Sequence, residues 1–566
     1  MTQATTITLC TLNAKYIHAS LGLRYLLANM GELRAQTVLR EFTIARKPQE
    51  VADELLALNP QVIGFGVYIW NVTQTCALVR LLKTLRPDIT IVLGGPEVSH
   101  ETDQQEIVRL ADHVITGWGD VSFPKLCRAL LRGPRPLMKI VAGEQPPLAQ
   151  IALPYSDYSD ADLAHRVLYV EASRGCPFKC EFCLSSLDKT AWAFDLELFL
   201  GELETLYQRG ARTFKFVDRT FNLKIDASIR ILQFFLNKLA SVGAQFPAGP
   251  PPGELAPSGG SAAHAVASVG ASLFVHFEVI PDHLPDKLKE TIAQVPPGVL
   301  QFEIGIQSFN VEVQQRISRR QDNPKTETNL AWLVAHSNAH LHTDLIFGLP
   351  GESMASFAQG FDRLYALQPH EIQLGILKRL RGTPIARHTA EYGMVYDAEP
   401  PYTVQQTGVV SLVEMQRFTR LARYWDLIAN SGRFTATLKT ILRVGIDSPS
   451  PFQAFLALSD WLWAHTHATG HLTPEVLVDA LFDYLTTVRQ TPAEVARAHL
   501  LADYLASGAR ASPQSLKEVL PRRAVSAAKP VRTLASRQIR HGVSDGSAHS
   551  AQPAGQGATQ AISSAN

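Results

Sequence analysis

The sequence predicts an α/β chain in three parts: a parallel sheet covered on both faces, a second strand–helix series closing into a partial barrel, and a helical block. Three observations carry this. Short β-rich apolar runs alternate with helical patterns over the first 135 residues. Six further strand–helix units lie between about 165 and 380, and residues 400–506 carry apolar stripes at helical spacing.

In the first block the strand candidates are Ile7–Leu12, Val38–Ile44, Val62–Ile69, Ile89–Leu93 and His113–Thr116, with helical patterns such as Leu21–Met30, Gln49–Leu58 and Thr73–Leu85 between them. Strands buried on both faces read as continuous apolar runs, which is what a parallel sheet requires. The block is flavodoxin-like, of Rossmann type, and such sheets hold ligands beyond the carboxyl ends of their strands. Those ends are Asn13–His18, Tyr68–Asn71, Gly94-Gly95-Pro96-Glu97 and Gly117-Trp118-Gly119-Asp120.

In the second block the strands are Leu168–Ser173, Thr213–Val217, Leu273–Ile280, Leu300–Gln307, Leu341–Phe347 and Glu371–Leu377. Helical stretches Asp195–Gln208, Ala227–Val242, Asp286–Ala293, Val311–Arg319 with Lys325–His336, and Ser353–Leu367 separate them. Six β/α units give a partial (β/α)6, TIM-like barrel, whose functional groups belong at the strand carboxyl ends. The expected divisions are 1–140, 160–390 and 400–506. A Pro/Gly/Ser-rich insertion at about 246–268 and an Ala/Ser/Arg/Gly-rich tail at 507–566 are expected to be disordered. In the helical block, Val409–Ile428 and Pro451–Trp463 are core-forming stripes or a cap over the barrel.

Composition narrows the function. Of 566 residues, 46% are hydrophobic and 19% charged, and 53 basic against 52 acidic side chains leave a net charge of +1. That balance offers no footprint for nucleic acid. No apolar run approaches the ~20 residues of a membrane span, and the first residues lack the pattern of a signal peptide. Six cysteines in so long a chain are no disulfide framework. A reducing cytoplasmic location is expected.

Three of those cysteines, Cys176, Cys180 and Cys183, fall within eight residues as C-x3-C-x2-C, just after the first barrel strand. Thiolates so spaced can wrap a corner of an iron–sulfur cube, leaving the fourth iron open. A zinc site lacks a fourth ligand nearby in sequence, and three inert thiols are the remaining alternative. The other cysteines, Cys10, Cys76 and Cys127, sit in predicted core elements and read as small hydrophobes.

The motif, with the aromatic Phe182 before its last cysteine, resembles the radical S-adenosylmethionine (SAM) superfamily. That resemblance implies a 4Fe–4S cluster whose open iron chelates SAM. It implies SAM contacts from Phe182, from Asp218 after the second strand, from Glu278 on the third, and from Gln307 and Ser308 in a G-x-Q-S element. Glu303 and the phrase Asp344–Glu352 also match in position; for Glu278 and Glu303 a structural ion pair is the competing reading. Reductive cleavage of SAM would give methionine and a 5′-deoxyadenosyl radical that takes hydrogen from an unactivated C–H bond. A flavodoxin- or ferredoxin-type electron donor and a small-molecule substrate are implied as partners.

Placed before such a motif, the first block resembles the cobalamin (B12)-binding domain of one branch of that superfamily, a branch with an uncharacterised helical C-terminal region. Cobalamin contacts would come from Tyr68, Gly94, Gly95, Pro96 and Gly117, and the reaction would be methyl transfer, cyclisation or rearrangement. The stretch Tyr16-Ile17-His18-Ala19-Ser20-Leu21 departs from the D-x-H-x-x-G pattern, so His18 is expected not to ligate cobalt. The alternatives are a radical SAM enzyme whose sheet docks substrate or partner without cobalamin, and a non-catalytic metal-binding or interaction protein.

Overall fold

The computed structural model describes residues 6–243, 273–443, 450–509 and 511–521. The insertion expected at 246–268, and the expected tail beyond 521, lie outside the described residues.

The first sheet has strands β1 (Ile7–Asn13), β2 (Thr37–Thr43), β3 (Val62–Gly66), β4 (Thr90–Gly94), β5 (His113–Thr116) and β6 (Ile140–Ala142), all parallel in the order β2-β1-β3-β4-β5-β6. Helices α1 (Leu21–Ala28), α2 (Pro48–Ala57), α3 (Val72–Leu85), α4 (Glu106–Leu110) and α5 (Ser122–Arg132) connect β1 to β6. Separate apolar cores lie on its two faces, one around Ile63, Phe65 and Leu93 and the other around Leu9, Val92 and Phe123. The five-strand expectation lacked β6, a three-residue edge strand with no fully buried position. The strand expected to reach Ile69 ends at Gly66, because buried Asn71 accepts the Tyr68 amide at 2.8 Å and turns the chain.

A short helix, α6 (Asp160–His165), leads into the barrel. Its strands are β7 (Leu168–Val170), then, after a small antiparallel pair β8 (Ser173–Arg174) and β9 (Trp192–Ala193), β10 (Thr213–Phe216), β11 (Phe274–Val279), β12 (Leu300–Gln307), β13 (His340–Phe347) and β14 (Glu371–Ile376). The barrel order is β7-β10-β11-β12-β13-β14, all parallel; among the described residues β14 and β7 do not pair, so the barrel is open. Its outer layer comprises α7 (Leu196–Gln208), α8 (Ile225–Gly243), α9 (Asp286–Ala293), α10 (Val311–Arg316), α11 (Asn323–His336) and α12 (Met354–Ala366).

The first barrel strand is shorter than expected. The Tyr155 hydroxyl accepts from the Glu171 amide at 3.0 Å and donates to its carbonyl at 3.1 Å. That pins Glu171 outside the ladder, and the chain leaves to form β8. The cysteine segment is therefore an excursion whose neck is the β8–β9 pair.

Beyond the barrel, a hairpin of β15 (Val395–Tyr396) and β16 (Val404–Gln406) precedes α13 (Leu412–Ile428), α14 (Thr435–Ile441), α15 (Pro451–Thr466), α16 (Pro474–Asp483) and α17 (Ala493–Ala506). These helices share one continuous core with the barrel: Phe347 stacks on Phe418 at 4.0 Å, and Trp425 donates to the Ile372 carbonyl at 2.9 Å. The aromatic stripe is core, as its spacing suggested. The tail expected from 507 includes described residues, up to 521, that are held in the fold. Leu516 is fully buried, and Asp479 accepts from the Gln514 amide at 3.0 Å and the Ser515 amide at 2.8 Å.

Candidate active site

Two cavities lie at strand carboxyl ends. The larger, about 680 Å³, is bounded by the ends of β1, β3, β4 and β5 and closed on its far side by the barrel residues Tyr169, Glu171, Arg174 and Val217. Tyr68 stacks on Trp70 at 4.4 Å and 7°, giving this cavity a flat aromatic wall. Two glycines leave it open. A side chain at Gly117 (φ +77°) would meet no atom within 4 Å, and one at Gly94 would meet only the Ile115 carbonyl at 3.8 Å. Such a cradle fits a bulky ligand resting against backbone.

Tyr68, Gly94, Gly95 and Gly117 line this space, but Pro96 does not. Gly95 is glycine for an internal reason: at φ +109° a Cβ would lie 2.5 Å from the Val67 carbonyl oxygen. Pro96 starts a short turn whose Glu97 is drawn away to Arg381 at 2.9 Å and Tyr402 at 2.7 Å. His18 stands at the rim with Nδ1 2.7 Å from the Tyr169 hydroxyl. Burial, with Lys215 and Lys15 nearby, pushes it toward the neutral form. Cys10 and Cys127 are buried in the cores on opposite faces of the sheet, and burial pushes the Cys127 thiol up to about 12. Cys76 packs, half-buried, against the Cys10 side.

The smaller cavity, about 200 Å³, opens at the barrel mouth. Cys176, Cys180, Cys183, Phe182, Glu278 and Gln307 line it. Among the described residues no three His, Cys, Asp or Glu side chains gather as a single ion site; a cluster instead takes its thiolates on different irons, so thiols spaced round a shared cavity suit it. Gln307 has a left-handed backbone (φ +69°) and a buried Oε1 with no hydrogen-bond partner. A strained residue with an unmet acceptor in a cavity wall fits a ligand that brings a donor.

Asp218 and Ser308 are not in this lining. The Asp218 carboxylate accepts from the Ala172 amide at 3.0 Å and from the Ser173 hydroxyl, tying the ends of β7 and β10 together. Burial outweighs those bonds and pushes its carboxyl up to about 7. Ser308 donates to buried Glu352 behind the wall. Glu278 pairs with Arg219 at 3.2 Å and also faces the cavity, so it is both ion pair and lining.

Arg319 went unnoticed in the sequence. Its Nη1 lies 3.7 Å from Cys180 Sγ, and its guanidinium also reaches the Gly305 carbonyl and Gln321. A charged network reaches the cavity wall through Glu303 and Asp344. His276 and Lys215 meet Glu303 at 3.0 and 3.6 Å, while His342 lies 3.3 Å from Asp344 and 3.4 Å from Glu371. Against burial, His276 and Lys215 hold Glu303 down at about 2.

Family models match along the chain in the same order as these sites: a B12 binding domain over residues 7–127 and the radical SAM superfamily over residues 170–364. The chain carries a B12-binding domain followed by a radical SAM domain. A third model, described as a protein of unknown function (DUF4080), matches residues 390–540.

Among curated relatives, an uncharacterized methyltransferase of Pyrococcus horikoshii, PH0819, is 28% identical over 38% of this chain and 52% of its own length. The cobalamin-dependent radical SAM methyltransferase TokK of Streptomyces tokunonensis is 24% identical over 58% of this chain and 48% of its own length. The chain thus spans about half the length of these relatives. In fold it is similar to the cobalamin-dependent SAM radical enzyme OxsB (TM-score 0.57, 14% identity, covering 89% of this chain and 81% of that one). It is also similar to the methyltransferase TsrM of Kitasatospora setae (TM-score 0.53, 14% identity, 73% and 81%). No helix among the described residues is long and apolar enough to cross a membrane.

Proposed function

We propose that this chain is a cobalamin-dependent radical SAM enzyme that modifies an unactivated carbon of a small molecule, with methyl transfer as the reaction. The observation that carries this reading is adjacency. The thiol-lined cavity and the glycine-floored cavity flank the end of β10, where Val217 belongs to one wall and Arg219, two residues on, to the other. The names of TokK and TsrM, both methyltransferases, favour methyl transfer over cyclisation or rearrangement.

In this reading Cys176, Cys180 and Cys183 hold a 4Fe–4S cluster. Gln307 Oε1 and the Glu278 carboxylate receive donors of SAM, Arg319 faces its anionic end, and Phe182 forms an apolar wall. Tyr68, Trp70, Gly94 and Gly117 hold cobalamin, with His18 engaged by Tyr169 rather than reserved for cobalt. When bound, these groups supply reductive SAM cleavage and a methyl carrier. The chain's own work is to orient them, keep Glu303 charged at the cavity wall, and close the cavities against bulk water. Reduced thiols fit a cytoplasmic location with a flavodoxin- or ferredoxin-type donor.

Anaerobic purification with iron, sulfide and cobalt analysis, followed by assay of 5′-deoxyadenosine, tests the proposal. Four irons, one cobalt and SAM-dependent 5′-deoxyadenosine are expected, on the order of one cluster per chain. Iron with no cobalt uptake from hydroxocobalamin would favour a docking sheet; neither metal would overturn the enzyme reading.

A further inference from the structure

One four-residue loop of the sheet domain, Gly117–Asp120 after β5, touches the cysteine excursion on both sides of its neck. On the entry side, Arg174 lies two residues before Cys176 and pairs with Asp120 at 2.9 Å and with Glu171 at 2.8 Å. Its guanidinium sits over the Trp118 ring at 4.8 Å and the Tyr25 ring at 4.6 Å. On the exit side, Trp118 Nε1 donates to Asp188 Oδ2 at 2.7 Å. Asp188 closes the excursion itself, since its carbonyl accepts from the Cys176 amide at 3.0 Å.

The neck has no slack. Gly175 (φ +90°) is pressed so close to the returning strand that a Cβ would lie 2.5 Å from Thr190 Oγ1 and 2.7 Å from the Ala191 nitrogen. A shift of either flank is therefore passed to Cys176. The opposite side of the same loop lines the larger cavity, through Gly117, Trp118, Gly119 and Asp120.

We infer that Trp118 and Asp120 are positioning residues of the cysteine loop, so that the sheet domain is a working part of the cluster site as well as the holder of its own ligand. The inference rests on the cluster reading for the three cysteines. It follows from geometry that a general interface role does not supply. A second buried ion cluster, Arg24 with Glu41 at 2.9 Å and Asp162 at 2.8 Å, also joins the sheet domain to the barrel, but touches no part of the cysteine excursion. If the contacts at 118 and 120 were interface glue alone, breaking either cluster would have the same consequences.

The test compares Trp118→Phe and Asp120→Asn with Glu41→Gln as the interface control, using the full chain. In cluster-free protein, hydrogen exchange of amides 175–190 should rise about tenfold in the two loop variants, the consequence of losing one hydrogen bond to a charged group. In Glu41→Gln it should not change. In reconstituted, dithionite-reduced protein with SAM, the two loop variants should alter the cluster's electron paramagnetic resonance line shape and the control should not. Trp118→Phe keeps the ring packing and loses only the N–H donor, so it decides the matter if Asp120→Asn fails to fold. Unchanged exchange in Trp118→Phe, or equal acceleration in Glu41→Gln, overturns the inference. Absence of any cluster signal in the unsubstituted protein would instead count against the cluster reading, with the exchange experiment still deciding whether the loop positions residues 175–190.

Discussion

Replacing Glu181 with Ala should free the middle of the cysteine loop. Glu181 lies between Cys180 and Cys183 with its side chain only 4% exposed. Ser318 donates to its carboxylate at 2.6 Å, His388 Nε2 at 2.9 Å, and Arg387 completes the set. Its backbone is held as well, by the Ile317 carbonyl at 3.0 Å and the Ile385 amide at 3.0 Å. The loop is thus fastened to the turn after α10 and to the segment Pro384–His388, which follows the barrel.

The partners do not count equally. The Arg387 side chain is 62% exposed, so its pair is screened and worth about 0–1 kcal/mol. Ser318 and the buried His388 each give a hydrogen bond to a charged group, about 1.5–3 kcal/mol. Removing one member of a buried ion pair typically costs about 3–5 kcal/mol, which agrees with that sum. Local opening of the loop should therefore become roughly two to nearly four powers of ten more frequent.

Chelator-trapped iron release from the reconstituted protein reads this directly when release waits on opening. Glu181→Gln should fall between, because its amide NH₂ meets donors where the carboxylate met them with acceptors. A double-mutant cycle with His388→Ala should return a coupling of about 1–3 kcal/mol. Release within threefold of the parent in Glu181→Ala, a change below about 0.7 kcal/mol, would refute the anchoring argument.

Four further outcomes are expected. The triple substitution of Cys176, Cys180 and Cys183 with Ala should abolish iron retention and SAM cleavage while circular dichroism stays that of the parent; full iron content would sink the cluster assignment. Gly94→Val should project into the larger cavity without backbone strain, lowering hydroxocobalamin affinity by at least about tenfold, which equilibrium dialysis measures. At His342, burial pushes the imidazole down, but Asp344 and Glu371 outweigh it and raise it from 6.5 to about 10. The stability it contributes is full below pH 6.5 and lost as pH rises through about 10, so urea midpoints of the parent should fall toward those of His342→Gln across that window. Truncation after Ser507 removes buried Leu516 and the bonds to Asp479, worth about 3–5 kcal/mol together, and should lower the urea midpoint accordingly.

What the sequence disclosed was what is local. Cys176, Cys180 and Cys183 stood out as a candidate cluster site because spacing alone suggests it, and the barrel strands because five- to eight-residue apolar runs repeat. Strand-end position gave the address of Asp218 and Ser308 but not their direction. Both turned to internal partners, Ser173 and Glu352, which no spacing foretells. Glu278 and Gln307 share that address and do face the cavity. Arg319 and Glu181 escaped notice because the contacts that tie them to the cysteine loop, Arg319 to Cys180 and Glu181 to Ser318 and His388, span 137 to 207 residues of sequence. The short pieces β6, β8, β9 and β15 carry too few residues for periodicity to register.

The cysteine excursion contributes little apolar burial of its own: Cys176, Glu181 and Ser186 are its buried positions, and two of the three are polar or charged. A segment of that kind cannot be ordered by hydrophobic burial, which is what orders the barrel beneath it. It must be held by directed contacts, and each set comes from a different part of the chain: Trp118 and Asp120 from the sheet domain at the neck, Ser318 and Arg319 from the barrel, His388 and Arg387 from the segment leading to the helical block. Directed contacts between distant parts form only when all of those parts are folded. A cluster placed there would therefore be assembled late, on a completed chain. Perturbations in the sheet domain or the segment after the barrel should reach it without touching a single cysteine.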